Sequence, residues 1–520
     1  MKRAIRPSLA SALLAAAVVI PTAAHAEAPA KVKVTISRET TCITEPLNPD
    51  GTPNYVAAVN ALCGKGVTPD NNAAVLLLEA LGPEMLMNKD TRAQVYRLLG
   101  IPPPPADGAY FVPFQEYARS HPPEDEETGI RPPSTDPNQR ISEPWHPKDD
   151  PLMAGWIQAN ARALDGVVSA SRRERMFVPL VSPSDPPTLY DCFHNSSIPV
   201  ALGRALAARG MLRLGQGQVE PASADILALH RLGVLASQGP MLIDVYTGIA
   251  VDAAACLADN ALARSGSLTV PQLRHHLAAV VGIPEVSGVT ESCQGPERFF
   301  QLDLWILCAR KSVRKVLRQT VASCSYPLES LPDYPLDWDE ALRMQNAHLD
   351  RLVAAGSLPT FRRRSEAVKA LKAEMDKIVG PDKKAYAQKM VRLVNARPRP
   401  ELTEITPATF YYLQGCCDLV SESRLAIEDR GRAFRRIAVV SLALAGWRAE
   451  KGGYPDRLDV LSPGWLKAVP QDPFTDKPLI YRRQGEGYVL YSVGANMIDE
   501  GGVSGLGVGA DDINMDPDPE

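Results

Sequence analysis

Asp191-Cys192-Phe193-His194-Asn195 is the densest run of reactive polar residues in the chain. A cysteine nucleophile needs a histidine within hydrogen-bond reach to take its proton. Residues two apart meet only in special backbone geometry, and catalytic Cys–His pairs are usually distant in sequence, so this spacing favours a structural role. His275-His276 occupy consecutive positions at a helix start, where side chains diverge rather than chelate. Asp149-Asp150 and Asp511-Asp512 are adjacent in loops, which is not the separation of an acid–base pair. No His-Glu-x-x-His, Gly-x-Ser-x-Gly or Walker loop is present, and Gly505-Leu506-Gly507-Val508-Gly509 does not join a strand to a helix. The nine cysteines include no Cys-x-x-Cys, which argues against a zinc ribbon or a thioredoxin-type site.

The N-terminus bears on compartment. Met1-Lys2-Arg3 is followed by an apolar run from Leu9 to Ile20 and by Ala23-Ala24-His25-Ala26. A charged start, a short apolar middle and an Ala-x-Ala end make residues 1–26 a secretory signal peptide. The apolar run is shorter than the ~20 residues a span requires, so no membrane span is expected after cleavage. Cleavage removes Lys2, Arg3 and Arg6 and no acid, taking the formal charge from −4 to −7. That balance argues against a general nucleic-acid binder. The expected location is periplasmic or extracellular, associated with the cell envelope. Export permits disulfides, and Cys42–Cys63 and Cys293–Cys324 are candidate pairs. Nine is odd, so at least one thiol stays unpaired within the chain.

Stepping along the chain, residues 27–120 read as a small N-terminal helical region. It opens with an alternating strand pattern at 31–37. A helix then starts at Thr68-Pro69-Asp70, has its body from Ala73 to Leu81, and is followed by a second helix over Thr91–Leu99. Residues 121–151 are a Pro-rich strap or linker, with Tyr110-Phe111, Phe114, Tyr117 and Trp145 as aromatic pins. Residues 152–420 form the helical body. Apolar spacing predicts helices over 200–214, 221–235, 242–262, 270–281 and 299–319, then 364–379 and 383–395 around a Pro-containing passage at 325–360. The fold class is mainly α, a helical bundle or repeat-like hairpins, with a small α+β domain at 421–520. Residues 361–397 carry eleven Lys or Arg against four Asp or Glu. This is either a solvated helix face or a patch for an anionic wall polymer or lipid.

The C-terminal segment has its own order. A helix over 423–451 ends at Gly452-Gly453-Tyr454-Pro455. Val469-Pro470-Gln471-Asp472-Pro473-Phe474 follows, then a hairpin turning at Gly485-Glu486-Gly487, then Tyr491-Ser492-Val493-Gly494 and an acidic Gly-rich stretch. As a series these elements resemble the globular part of type II secretion major pseudopilins, over roughly the last fifth of the chain. The N-terminus departs from that family. A conventional signal replaces the short leader and anchoring helix, so the chain is not expected to polymerise as a pilus subunit. In that family the terminal loop commonly holds calcium. The matching positions between Gly494 and Asn514 offer Asn496, Asp499, Glu500, Asp511 and Asp512, hard oxygen ligands of the kind calcium prefers. Asn496 stands where the family has an early aspartate, and Asp499 is a candidate substitute. The alternative is a flexible acidic tail.

These features imply a non-catalytic exported envelope protein, an interaction or assembly component whose partner is an envelope or secretion-apparatus protein. The alternatives are a binding module for an anionic wall polymer or peptide, and a hydrolase with a site near Cys192 and His194.

Overall fold

Ala and Gly recur through the central helices, and their small volumes let helix backbones approach closely. Helix α7 (Ser197–Gly215) turns at Gln216-Gly217 into α8 (Val219–Ala236), and α9 (Leu242–Arg264) packs across both. At the α8–α9 crossing, a Cβ on Gly248 would lie 2.5 Å from the Gly233 carbonyl oxygen, so no larger residue fits there. In the computed structural model, residues 33–83, 88–121, 140–192, 197–311, 335–380, 382–398, 400–416, 422–503 and 511–515 are described. Residues 1–26, read above as a signal peptide, His194 and Cys324 lie outside them.

Among the described residues the chain is mainly helical, with seventeen α-helices and one three-stranded antiparallel sheet near the C-terminus. The earlier helices are α1 (Tyr55–Cys63), α2 (Ala73–Leu81), α3 (Arg92–Leu99), α4 (Phe114–Ser120), α5 (Pro151–Ala159) and α6 (Ala161–Ala170). Beyond α9 come α10 (Val270–Gly282), α11 (Val289–Gln294), α12 (Pro296–Lys311), α13 (Trp338–Gly356), α14 (Phe361–Val379), α15 (Lys383–Asn395), α16 (Leu402–Cys416) and α17 (Glu422–Lys451). No helix among the described residues is long and apolar enough to cross a membrane.

Several expectations shift. Residues 33–36 are not a strand. Helix α2 is capped by Asn72, whose side chain accepts from Ala74 N, while Thr68 and Asn71 close a separate turn before it. Helix α13 occupies much of the passage read as Pro-containing. Asp337 caps it by accepting from Glu340 N. Cys42 and Cys63 carry free thiols and are not joined. Burial pushes the Cys63 thiol up to about 11. Among the described residues of the strap, Trp145 Nε1 donates to Ala208 O; before it in the chain, Phe111 and Phe114 meet the Trp156 ring edge-on.

Strand β1 (Ile480–Gln484) pairs with β2 (Gly487–Ser492), and β2 with the short β3 (Ile513–Asn514). One apolar core runs from Ala73 through α7, α8, α9 and α17 to Met515, so the boundary at 420/421 is bridged by shared packing. Asn260 Nδ2 of α9 donates to Met515 O, 3.0 Å away. Arg274 of α10 lies over the Trp465 ring and pairs with Glu450. Gly446 of α17 seats that ring, since a Cβ there would fall 2.1 Å from Trp465 Cη2. Gly446→Ala should therefore destabilise the chain by about 1–3 kcal/mol. The urea midpoint should fall and tryptophan emission should shift to the red. Gly464→Ala, with open space around it, should do neither.

Candidate functional site

Two sets of polar groups stand out. The first is the loop after β2. Asp472, from the Val-Pro-x-Asp-Pro-Phe segment, accepts from Phe474 N and Val493 N and so fixes where the hairpin ends. Gly494 then turns with φ +68°, and a Cβ on it would sit 2.3 Å from Asp511 O. This close approach lets Asp511 Oδ2 accept from Ala495 N and Asn496 N. Asp512 Oδ2 accepts from Glu500 N and Gly502 N at 3.0 and 2.8 Å. Backbone donors thus hold one oxygen of each aspartate.

Asp511 Oδ1, Asp512 Oδ1 and Glu500 Oε2 are buried and unbonded among the described residues. Burial and the neighbouring Glu500 carboxylate push Asp512 up to about 6. Lone buried carboxylate oxygens are costly unless a cation or proton satisfies them. Of the five residues expected to bind calcium, Glu500, Asp511 and Asp512 each keep one such oxygen, although the three do not gather within 4.8 Å as a ligand group. Asn496 and Asp499 are turned to local structure instead. Asn496 Oδ1 accepts from Ile498 N, and Asp499 Oδ1 accepts from Gly501 N and, at 2.6 Å, from the Tyr491 hydroxyl. The tyrosine hydrogen bond holds Asp499 below its ordinary value.

The second set is a chain of side chains buried between helices. Ser223 and His230 lie seven residues apart on one face of α8. Asp252, Cys256 and Asp259 line one face of α9. His276 comes from α10 and Arg435 from α17. Ser223 Oγ is 2.6 Å from His276 Nδ1, and His276 Nε2 is 2.7 Å from Asp259 Oδ1. Asp259 Oδ2 is 2.8 Å from His230 Nε2, and His230 Nδ1 is 2.6 Å from Asp252 Oδ1. Arg435 Nη1 donates to that same Asp252 oxygen at 2.8 Å and crowds His230 Nδ1, while Nη2 donates to Ile283 O.

Charge fixes the protons. Asp259 is fully buried. Burial alone would push its carboxyl up, but His276 and His230 reverse this and hold it well below the ordinary range. As an anion it accepts from both Nε2 atoms. Burial would push His230 down, but the Asp252 and Asp259 carboxylates hold it above its ordinary value. The Asp252 and Asp259 carboxylates, the Arg435 guanidinium and the His230 imidazolium then sum to zero.

Ligand-type atoms of His230, Asp252 and Cys256 lie within 4.8 Å of one another. The Arg435 guanidinium already supplies the positive charge there, and burial pushes the Cys256 thiol far up, away from the thiolate a metal needs. This group fits a closed ion network better than a metal centre.

The first sequence candidate does not have the geometry of a nucleophile. Cys192 is buried, its thiol donates to Thr188 O, and burial pushes it far above its ordinary value. His194 lies outside the described residues. The basic stretch is partly neutralised, with Arg364 paired to Asp429, Lys369 to Glu422 and Lys372 to Asp376. A cleft of about 560 Å³ between α1, α3 and residues 177–179 has Lys65 as the only charged residue among the described residues of its wall. Sequence reading missed the His–Asp chain. Its signal was charged residues at core-facing positions of apolar helices: His230 in α8, then Asp252 and Asp259 in α9.

The chain matches no protein-family model, and no curated protein or solved structure is significantly similar to it.

Proposed function

We propose that this is an exported envelope protein acting as an interaction or assembly component through a pseudopilin-like terminal region whose last loop holds calcium. The supporting observation is the set of three buried carboxylate oxygens on Glu500, Asp511 and Asp512 that have no partner among the described residues. Calcium takes six to eight oxygens, and extracellular sites bind it at about 10⁻⁴–10⁻³ M. A loop of this kind would be ordered outside the cytoplasm, where calcium is plentiful. Two exposed apolar side chains, Ile498 and Val503, flank the carboxylates and would be presented by the ordered loop.

An in-cell crosslink and pull-down of the mature chain, in calcium and in chelator, tests the assembly role. Recovery of secretion or pilus components in calcium, weakened by chelator, is the expected result. Wall fragments alone would favour the polymer-binding reading and sink the assembly role.

A further inference from the structure

We propose that Ser223, His276 and Asp259 form a serine acyl-transfer centre for small carboxylic esters. The inference is independent of the calcium reading. Ser223 is the solvent end of the buried chain: it is half-buried in the second turn of α8, beside exposed Pro221 and Ala224. His276 is 1% exposed and Asp259 is 0% exposed, so the two groups behind the hydroxyl are shielded from water. His276 Nε2 faces Asp259 at 2.7 Å, which leaves its Nδ1 facing the Ser223 hydroxyl at 2.6 Å. A nucleophilic hydroxyl, a ring base and an anion orienting that base are the roles of a serine triad. Such a constellation is identified by geometry rather than by sequence order. The ring nitrogens are used in the opposite sense to the common arrangement, which leaves one nitrogen for each partner all the same.

The step balances without a co-reactant other than water. Ser223 Oγ bonds to the ester carbonyl carbon as its proton passes to His276 Nδ1. The C–O ester bond breaks, and the alkoxide leaves with that proton. Water then attacks the acyl-serine, giving a carboxylic acid and restoring the hydroxyl. Asp259 is a positioning residue, because its charge holds the tautomer and stabilises the imidazolium that forms. Gln272, one turn before His276, donates to Glu220, which lies three residues before Ser223.

The test treats the full mature chain with a fluorophosphonate probe, locates adducts by peptide mass spectrometry, and follows p-nitrophenyl acetate turnover. The expected result is an adduct on Ser223 that forms at least about 100-fold faster in the folded chain than in urea, the scale of a positioned base. Ser223→Ala, a partly buried and nearly isosteric change, should abolish both signals in a chain that still unfolds cooperatively. No Ser223 adduct on the folded chain, or equal rates folded and unfolded, overturns the proposal. A merely structural hydrogen bond would give that second result.

Discussion

Asp259→Ala is expected to destabilise the folded chain by about 3–5 kcal/mol, the cost of removing one partner from a buried charge pair. Asp259 is completely buried, and each of its oxygens accepts from a different imidazole. Alanine would leave His230 Nε2 and His276 Nε2 as donors with no acceptor. It would also leave the imidazolium of His230 with Asp252 alone, which Arg435 already shares. Asp259→Asn keeps one acceptor and should cost less. Both changes are read as shifts in the urea midpoint. His275→Ala, at the exposed neighbouring position, should stay within about 0.5 kcal/mol of the parent. If Asp259→Ala melts with His275→Ala, the chain of side chains does not hold these helices together.

The second large effect lies in the terminal loop. Calcium that binds only the folded chain adds about 2.7 kcal/mol at a hundredfold excess over its Kd. Asp512→Asn should remove most of that increment. The sign of the pH dependence follows from Asp512, whose folded-state value is raised to about 6 from 3.8. A raised carboxyl contributes stability that is fully present below the unfolded value and is lost as pH rises through the folded one. In chelator the parent should therefore lose stability between about pH 4 and 6, and calcium should restore more at pH 7.5 than at pH 5. Asp512→Asn in chelator should lack that fall and so melt above the chelated parent at pH 7.5. Thermal midpoints of both chains in calcium and chelator at the two pH values check all three statements. A calcium increment that is the same at both pH values would contradict the assignment of Asp512.

Local signals carried much of the fold. Helix α15 runs over 383–395, where Gly380-Pro381 and apolar spacing set it, and the Gly485-Glu486 turn places the hairpin. Helix α13 was hidden because its buried face includes Gln345 and Asn346. Their partners, Trp305 and the carbonyls of Glu39 and Thr40, are distant in sequence. Helix α16 carries Pro407 inside it, a residue that ordinarily ends a helix. The third strand spans only Ile513–Asn514, too short for an alternating pattern to show. The acidic loop was legible as a set of oxygen donors. Which oxygens remain unpaired depends on backbone donors at Glu500, Gly502, Ala495 and Asn496, and spacing does not reveal that. The buried His–Asp chain joins four helices, and adjacency drew attention instead to Cys192 and His194.

Calcium bound per chain is the quantity closest to the central claim. The mature chain would be stripped with chelator and dialysed to equilibrium against buffered calcium. The Glu500→Gln, Asp511→Asn, Asp512→Asn triple variant would be treated in parallel. The account predicts one calcium per parent chain with an affinity in the extracellular range, and none on a folded triple variant. No calcium on the parent, or one that survives the triple change, would contradict it.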